Sequence, residues 1–259
     1  MTRIVHHILV GLTCGLFAGT CGQLENEAYT PEVPTVTPRV VRTIPHDTTA
    51  FTQGLLFHNG TLLESTGAPR GRESSLRVID PRDGRVLQRR AVPGVFAEGI
   101  AVAGGSLVQL AWRCGTARVY ALPTLSPVGE LRYSGEGWGL THDGESFIMS
   151  NGSDTLYFRD TAFKATGARA VTLKGRPLRN LNELEHVDGW VYANVWHSSY
   201  VFQIDPRVGK VERIIDCTEL VLTAGGDDHR VLNGIAYESS AGTFYLTGKD
   251  WPVIFEVAF

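Results

Sequence analysis

FTQGLLF, residues 51–57, is the first of five apolar stretches that open almost alike; FAEGIAV begins at Phe96, GWGLT at Gly137, NELEHV at Asn182 and NGIAY at Asn233. With Gly54, Gly99, Gly139, Glu183 and Gly234 taken as equivalent, the intervals are 45, 40, 44 and 51 residues. Repeats of that length are the signature of four-stranded blades, so the chain reads as all-β, a five-bladed β-propeller. Each stretch is then the innermost strand of its blade. There five backbones crowd one axis, and a residue without a Cβ fits best.

Working outward, His58-Asn59-Gly60, His142-Asp143-Gly144 and Val187-Asp188-Gly189 carry the chemistry of tight hairpin turns. Further strands follow at residues 76–79, 118–121 and 201–204, each ending at a proline-containing turn. Residues 39–43 are extended and complete the blade whose other strands are C-terminal, which closes the ring and removes exposed edges. The 29 glycines and 12 prolines punctuate these strands. No stretch beyond the N-terminus shows a helical period.

The N-terminus has another character. Arg3 precedes an apolar run, residues 8–17, too short to span a bilayer. Residues 1–22 read as a signal peptide, residues 23–41, rich in Pro, Glu and Thr, as a flexible linker, and residues 42–259 as one propeller domain. Cys21 sits in a context that loosely resembles a lipoprotein cleavage site, so the expected destination is periplasmic or extracellular, free or anchored by lipid at Cys21. The net charge of -3 and scattered arginines give no nucleic-acid footprint. A monomer is expected. Cys114 and Cys217 read as buried free thiols, and no Cys or His pair has metal-site spacing.

Fivefold pseudo-symmetry makes a stronger statement about side chains. The residues just before the equivalent positions, Gln53, Glu98, Trp138, Asn182 and Asn233, form one ring at the channel mouth. A second set, Thr66, Trp112, Asn151, Trp196 and Lys249, ends the second strand of each blade and returns to the same level. One carboxylate, one ammonium, three indoles and several amides therefore face a common opening.

The segments FTQG, FAEG, QLAW at residues 109–112, YSGEGWGLT, LNELE, YANVW, LNGIAY and TGKDWP together resemble the plant-type and bacterial glutaminyl cyclases, the glutaminyl-peptide cyclotransferases. The resemblance runs from about Val41 to Phe259 and touches all five blades. It implies conversion of N-terminal glutamine to pyroglutamate with release of ammonia, acting on peptides or proteins. It also implies that Phe51, Gln53, Phe96, Glu98, Trp112, Trp138, Asn182, Trp196 and Lys249 fall on pocket positions. Ala111, where Thr is more usual, and Asn151, where Asp is, depart from the pattern without removing a reactive group.

The chemistry asks for few parts. The substrate's own α-amine is the nucleophile, so proximity supplies much of the rate, and aromatic walls from Trp112, Trp138 and Trp196 enclose the folded side chain, with Phe51, Phe96 and Gln53 joining them as the resemblance implies. A carboxylate beside both nitrogens moves the proton, a role assigned to Glu98. Lys249, Asn182 or Gln53 supplies oxyanion donors, or Lys249 instead pairs with Glu98. No cofactor is required, although a structural Ca²⁺ in the channel is compatible with this reading. Two rivals remain: a metal-dependent lactonase or hydrolase using Glu98, Asn182 and Asn233, and a non-enzymatic exported peptide-binding propeller.

Overall fold

The computed structural model describes residues 32–259; the expected signal peptide and Cys21 lie outside the described residues. Four-stranded antiparallel blades follow in chain order. Blade I is Thr52–His58, Thr61–Thr66, Ser74–Ile79 and Val86–Val92; blade II is Ala97–Ala103, Ser106–Ala111, Thr116–Ala121 and Ser126–Arg132. Blade III is Leu140–His142, Phe147–Met149, Thr155–Arg159 and Ala165–Ala170, and blade IV is Leu181–Val187, Trp190–Val195, Tyr200–Asp205 and Lys210–Asp216. Blade V takes Leu232–Glu238, Thr243–Gly248 and Val253–Ala258 from the C-terminus and Arg39–Pro45 from the N-terminal side. The innermost strands touch in the order I, II, III, IV, V and back to I. The ring is closed.

Apolar side chains fill the layers between blades. Leu56, Leu76, Ile100, Leu107 and Tyr120 pack between blades I and II, whereas Ile44, Leu55, Leu62, Ile79 and Tyr245 pack where blade V meets blade I. Around the axis the packing is backbone on backbone. A Cβ on Gly99 would stand 2.5 Å from Leu140 N, and one on Gly139 would stand 2.0 Å from Asn182 O. Glu183 takes the place of that glycine in blade IV and turns its carboxylate into the channel. It accepts from Leu55 N at 3.2 Å and Ile235 N at 2.9 Å, joining blade IV to blades I and V. Burial, with Glu185 nearby, raises its pKa well above the ordinary carboxylate value.

The inner hairpins carry a shared irregularity. Their register shifts between Thr52 and Gly54, Ala97 and Ile100, Leu181 and Leu184, and Leu232 and Ile235. Gln53, Glu98, Asn182 and Asn233 sit on these bulges, and a bulge re-aims the side chain it carries.

Ring closure joins distant parts of the sequence. Arg39–Pro45 pairs with Val253–Ala258, Ile44 is buried, and Arg42 pairs with Glu256. Immediately after this strand, His46 faces two acceptors, Trp251 O and Glu64 Oε1, each at 2.9 Å. Burial opposes the imidazolium, but Glu64 and the Trp251 carbonyl together outweigh it and the His46 pKa is raised.

Four expectations need correction. The linker read over residues 23–41 is not free throughout: Val33 packs on the blade IV core and Thr35–Val36 pairs in parallel with Ile214 and Ile215, because this edge offers unpaired backbone and apolar surface. The turns at Asn59-Gly60 and Asp188-Gly189 are tight, with positive φ at both residues, but His142-Asp143-Gly144 opens a longer loop in which Asp143 Oδ1 accepts from Glu145 N and Ser146 N. A six-residue helix, Thr218–Thr223, is too short to show a period. Cys217 is buried as expected, whereas Cys114 is exposed on a turn; both are free thiols.

Candidate active site

At the end of the channel where the bulges lie, a cavity of about 430 Å³ opens to solvent. All nine residues singled out as candidates line it, Phe51, Gln53, Phe96, Glu98, Trp112, Trp138, Asn182, Trp196 and Lys249, together with Pro69 and Arg113. Glu98 is 4% exposed and Lys249 is 5% exposed. The charged groups therefore form the floor.

Aromatic rings form the walls. Phe51 meets Phe96 edge-on with centroids 6.2 Å apart, and Phe96 continues to Trp112 at 5.5 Å. Beyond Trp112, Trp138 and Trp196 meet edge-on at 5.8 Å, and exposed His197 packs against Trp196 at 4.3 Å. Trp138 is seated on a glycine. A Cβ on Gly152, whose φ is +80°, would lie 2.6 Å from the indole. Gly152→Ala should therefore tilt Trp138 and raise KM for the substrate of this cavity roughly tenfold, since overpacking costs ~1–3 kcal/mol. Steady-state kinetics with tryptophan emission as a monitor of the indole checks this.

A hydrogen-bonded relay leads to the carboxylate. Asn233 Nδ2 donates to Thr52 O at 2.9 Å and to Gln53 Oε1 at 3.4 Å, and Gln53 Nε2 donates to Glu98 Oε2 at 2.8 Å. Burial pushes the Glu98 pKa well above the ordinary value; Lys249 and the Gln53 bond oppose that shift, and Glu136 adds to it. Lys249 shows the complementary effect, since burial lowers its pKa to about 8 against the pull of Glu98 and Asp250. Its Nζ lies 4.9 Å from the Phe51 ring centre. Among the described residues it makes no direct ion pair with Glu98, so the two charges act across the cavity.

The Lys249 turn is held from several sides. Lys249 N donates to Val231 O and Asp250 N to Ala50 O, while Arg72 grips the Asp250 carboxylate with two bonds of 2.7 and 2.9 Å. Asp250 itself has φ +58°. These ties fix a conformation that a non-glycine residue seldom adopts unaided.

Three members of the two expected rings face elsewhere. Thr66 bonds Ser75, Asn151 caps its own turn through Ser153, and Asn233 is fully buried beneath Gln53. With Asn233 buried behind Gln53, the oxygen set Glu98, Asn182 and Asn233 does not share the cavity. Among the described residues, no group of three or more His, Cys, Asp or Glu side chains is arranged to hold a metal ion. Pro69, Arg113 and Glu136 escaped the sequence reading. Glu136 accepts from the indoles of both Trp112 and Trp138. Its sequence signal was weak: a carboxylate two residues before a cavity tryptophan, between two glycines.

Known proteins with this arrangement are found both by sequence and by fold. The family model described as Glutamine cyclotransferase matches residues 13–259. This chain belongs to the glutamine cyclotransferase family. A curated Arabidopsis thaliana relative, described as a glutaminyl-peptide cyclotransferase, is 39% identical over 225 residues, covering 84% of this chain and 70% of the relative. The crystal structure of Myxococcus xanthus glutaminyl cyclase superposes with a TM-score of 0.82 and 38% identity, covering 87% of this chain and 97% of that one. As a glutamine cyclotransferase the chain is an enzyme, and the five-bladed propeller is the fold on which its cavity is built.

Proposed function

We propose that this glutamine cyclotransferase closes the N-terminal glutamine of a peptide or protein into pyroglutamate, with Glu98 carrying the proton. The observation that supports this most directly is a nearly buried carboxylate, gripped by Gln53 and facing Lys249, at the floor of an aromatic cavity.

The side chain of the substrate folds between the tryptophan walls, which bring its α-amine against its own carboxamide carbon. An N–C bond forms and closes the five-membered lactam. As it forms, the Glu98 carboxylate takes a proton from the amine; when the C–NH₂ bond breaks, Glu98 returns that proton to the departing nitrogen, which leaves as ammonia. A carboxylate of ordinary pKa is a poor base for this exchange, and burial makes Glu98 a better one. Lys249 and Asn182 face the cavity from blades V and IV and supply donors to the oxygen on which negative charge develops.

Nothing in this scheme requires a metal. Turnover of a peptide beginning with glutamine, followed by ammonia release, should persist within about twofold after exhaustive chelation, because every proton transfer and oxyanion contact is assigned to a side chain. Abolition by chelator with recovery on adding a divalent ion would overturn the assignment. Glu98→Gln tests the base itself. The apolar run at residues 8–17 after Arg3 supports the reading of an exported enzyme that acts on secreted or periplasmic peptides.

A further inference from the structure

Glu136 touches no reacting atom in the scheme above, yet it organises two residues that line the cavity. Its Oε2 accepts the indole N–H of Trp112 at 2.8 Å and that of Trp138 at 3.1 Å, while Oε1 accepts from Arg113 Nε at 2.9 Å. Trp112 follows the second strand of blade II and Trp138 leads into blade III, so one carboxylate ties facing indole edges across a blade boundary. Arg113 completes the cluster with its guanidinium 3.9 Å from the Trp112 ring centre. The backbone agrees, because Gly137 N donates to Trp112 O at 3.0 Å.

The Glu136 side chain is 37% exposed. Water could therefore satisfy two indole N–H groups at this rim, and satisfying them does not explain a shared carboxylate. What the carboxylate adds is direction, since charge-assisted bonds to one oxygen hold both rings at a fixed separation.

We infer that Glu136 is a positioning residue for cyclisation: by holding the edges of Trp112 and Trp138 together it sets the width of the aromatic cavity that folds glutamine back on its own amine. The inference rests on the reading of that cavity as the glutamine site. It has an electrostatic consequence as well. The groups acting on Glu98 are the Lys249 ammonium, the Gln53 amide and the Glu136 carboxylate, with the Tyr133 phenol also within its field. Only Glu136 among the first three pushes Glu98 upward, so removing its charge moves the acid limb of turnover to lower pH.

The test compares Glu136→Ala with Glu136→Gln, measuring kcat, KM and the pH dependence of kcat on a glutamine-initiated peptide. Loss of both indole bonds in the alanine variant should raise KM roughly tenfold with kcat within about threefold. The glutamine variant keeps an oxygen that accepts from indole, so it should recover KM to within about threefold of wild type. Both should show the acid limb at lower pH, a change that mere loosening of the surface would not produce. An alanine variant with unchanged KM, or a glutamine variant as impaired in KM as the alanine one, overturns the inference. Should the alanine variant fail to fold, Glu136→Met, which keeps the length of the side chain and loses both carboxylate oxygens, takes its place under the same KM criterion. A Glu98→Gln variant that still cyclises the peptide would instead remove the proposed mechanism, which keeps the two failures distinct.

Discussion

Glu98→Gln is expected to bind a glutamine-initiated peptide with nearly unchanged affinity and to lose kcat by about 10²–10⁴, the range that a positioned acid–base group contributes. The replacement keeps the volume of a side chain that is almost fully enclosed, and its carbonyl still accepts from Gln53 Nε2. Only the group that takes and returns the proton is missing. Stability should move the other way. Because burial raises the folded-state pKa of Glu98, the unfolded chain gives up its proton first as pH rises, so ionisation costs folding free energy above the unfolded value near ~4.3. A neutral amide escapes that cost, and the variant should melt at or above the wild-type temperature at neutral pH. Lost turnover with retained stability separates removal of the base from damage to the fold. Cyclisation at the wild-type rate would exclude Glu98 from the chemistry.

Other carboxylates around the axis share the raised pKa but not the role. Glu183 is also buried and Glu185 half-buried, both with raised pKa values, Glu185 to about 8, but their oxygens accept backbone N–H groups from neighbouring blades. They tie the channel together below the cavity. Glu98 differs in facing open space, with the Gln53 amide and the distant Lys249 charge as its polar company. Burial alone does not mark a reactive carboxylate; burial beside a cavity does.

The repeat made this much legible because blades are symmetric and their inner strands obey a fixed spacing. Gly54, Gly99 and Gly139 reveal the axis, and once the axis is known Glu98, Trp112 and Lys249 can be brought together from distant stretches. Symmetry also misleads where local hydrogen bonding outweighs it. Asn233 occupies the same phase as Glu98, yet its amide is claimed by Thr52 O and turns under Gln53. Thr66 and Asn151 are likewise taken by their own serine neighbours. The bulges that aim the productive residues leave no mark in composition, since an extra residue in one strand is defined only by its partner. Glu136 was invisible for a related reason: its meaning depends on two indole nitrogens that only the fold places 2.8 and 3.1 Å away.

Lys249 carries the second large effect. In the wild type, kcat should follow a bell in pH, rising as Glu98 ionises and falling as Lys249, whose pKa burial lowers, gives up its proton. Measuring kcat rather than kcat/KM confines the profile to the bound complex, so the amine of the free peptide does not enter. Lys249→Met should change both limbs and the height. Its ammonium no longer favours the ionised form of Glu98, so the acid limb moves to higher pH, opposite to the direction expected on neutralising Glu136. The alkaline fall disappears with the group that causes it. At the optimum kcat drops by about 10²–10³, the usual consequence of removing one donor from a developing oxyanion. Lys249→Arg restores the charge and should return the acid limb towards its wild-type position, while a planar fork in a site shaped for a point donor leaves part of the rate missing. A methionine variant whose profile keeps the wild-type shape and height would show that the ammonium neither tunes Glu98 nor meets the oxyanion.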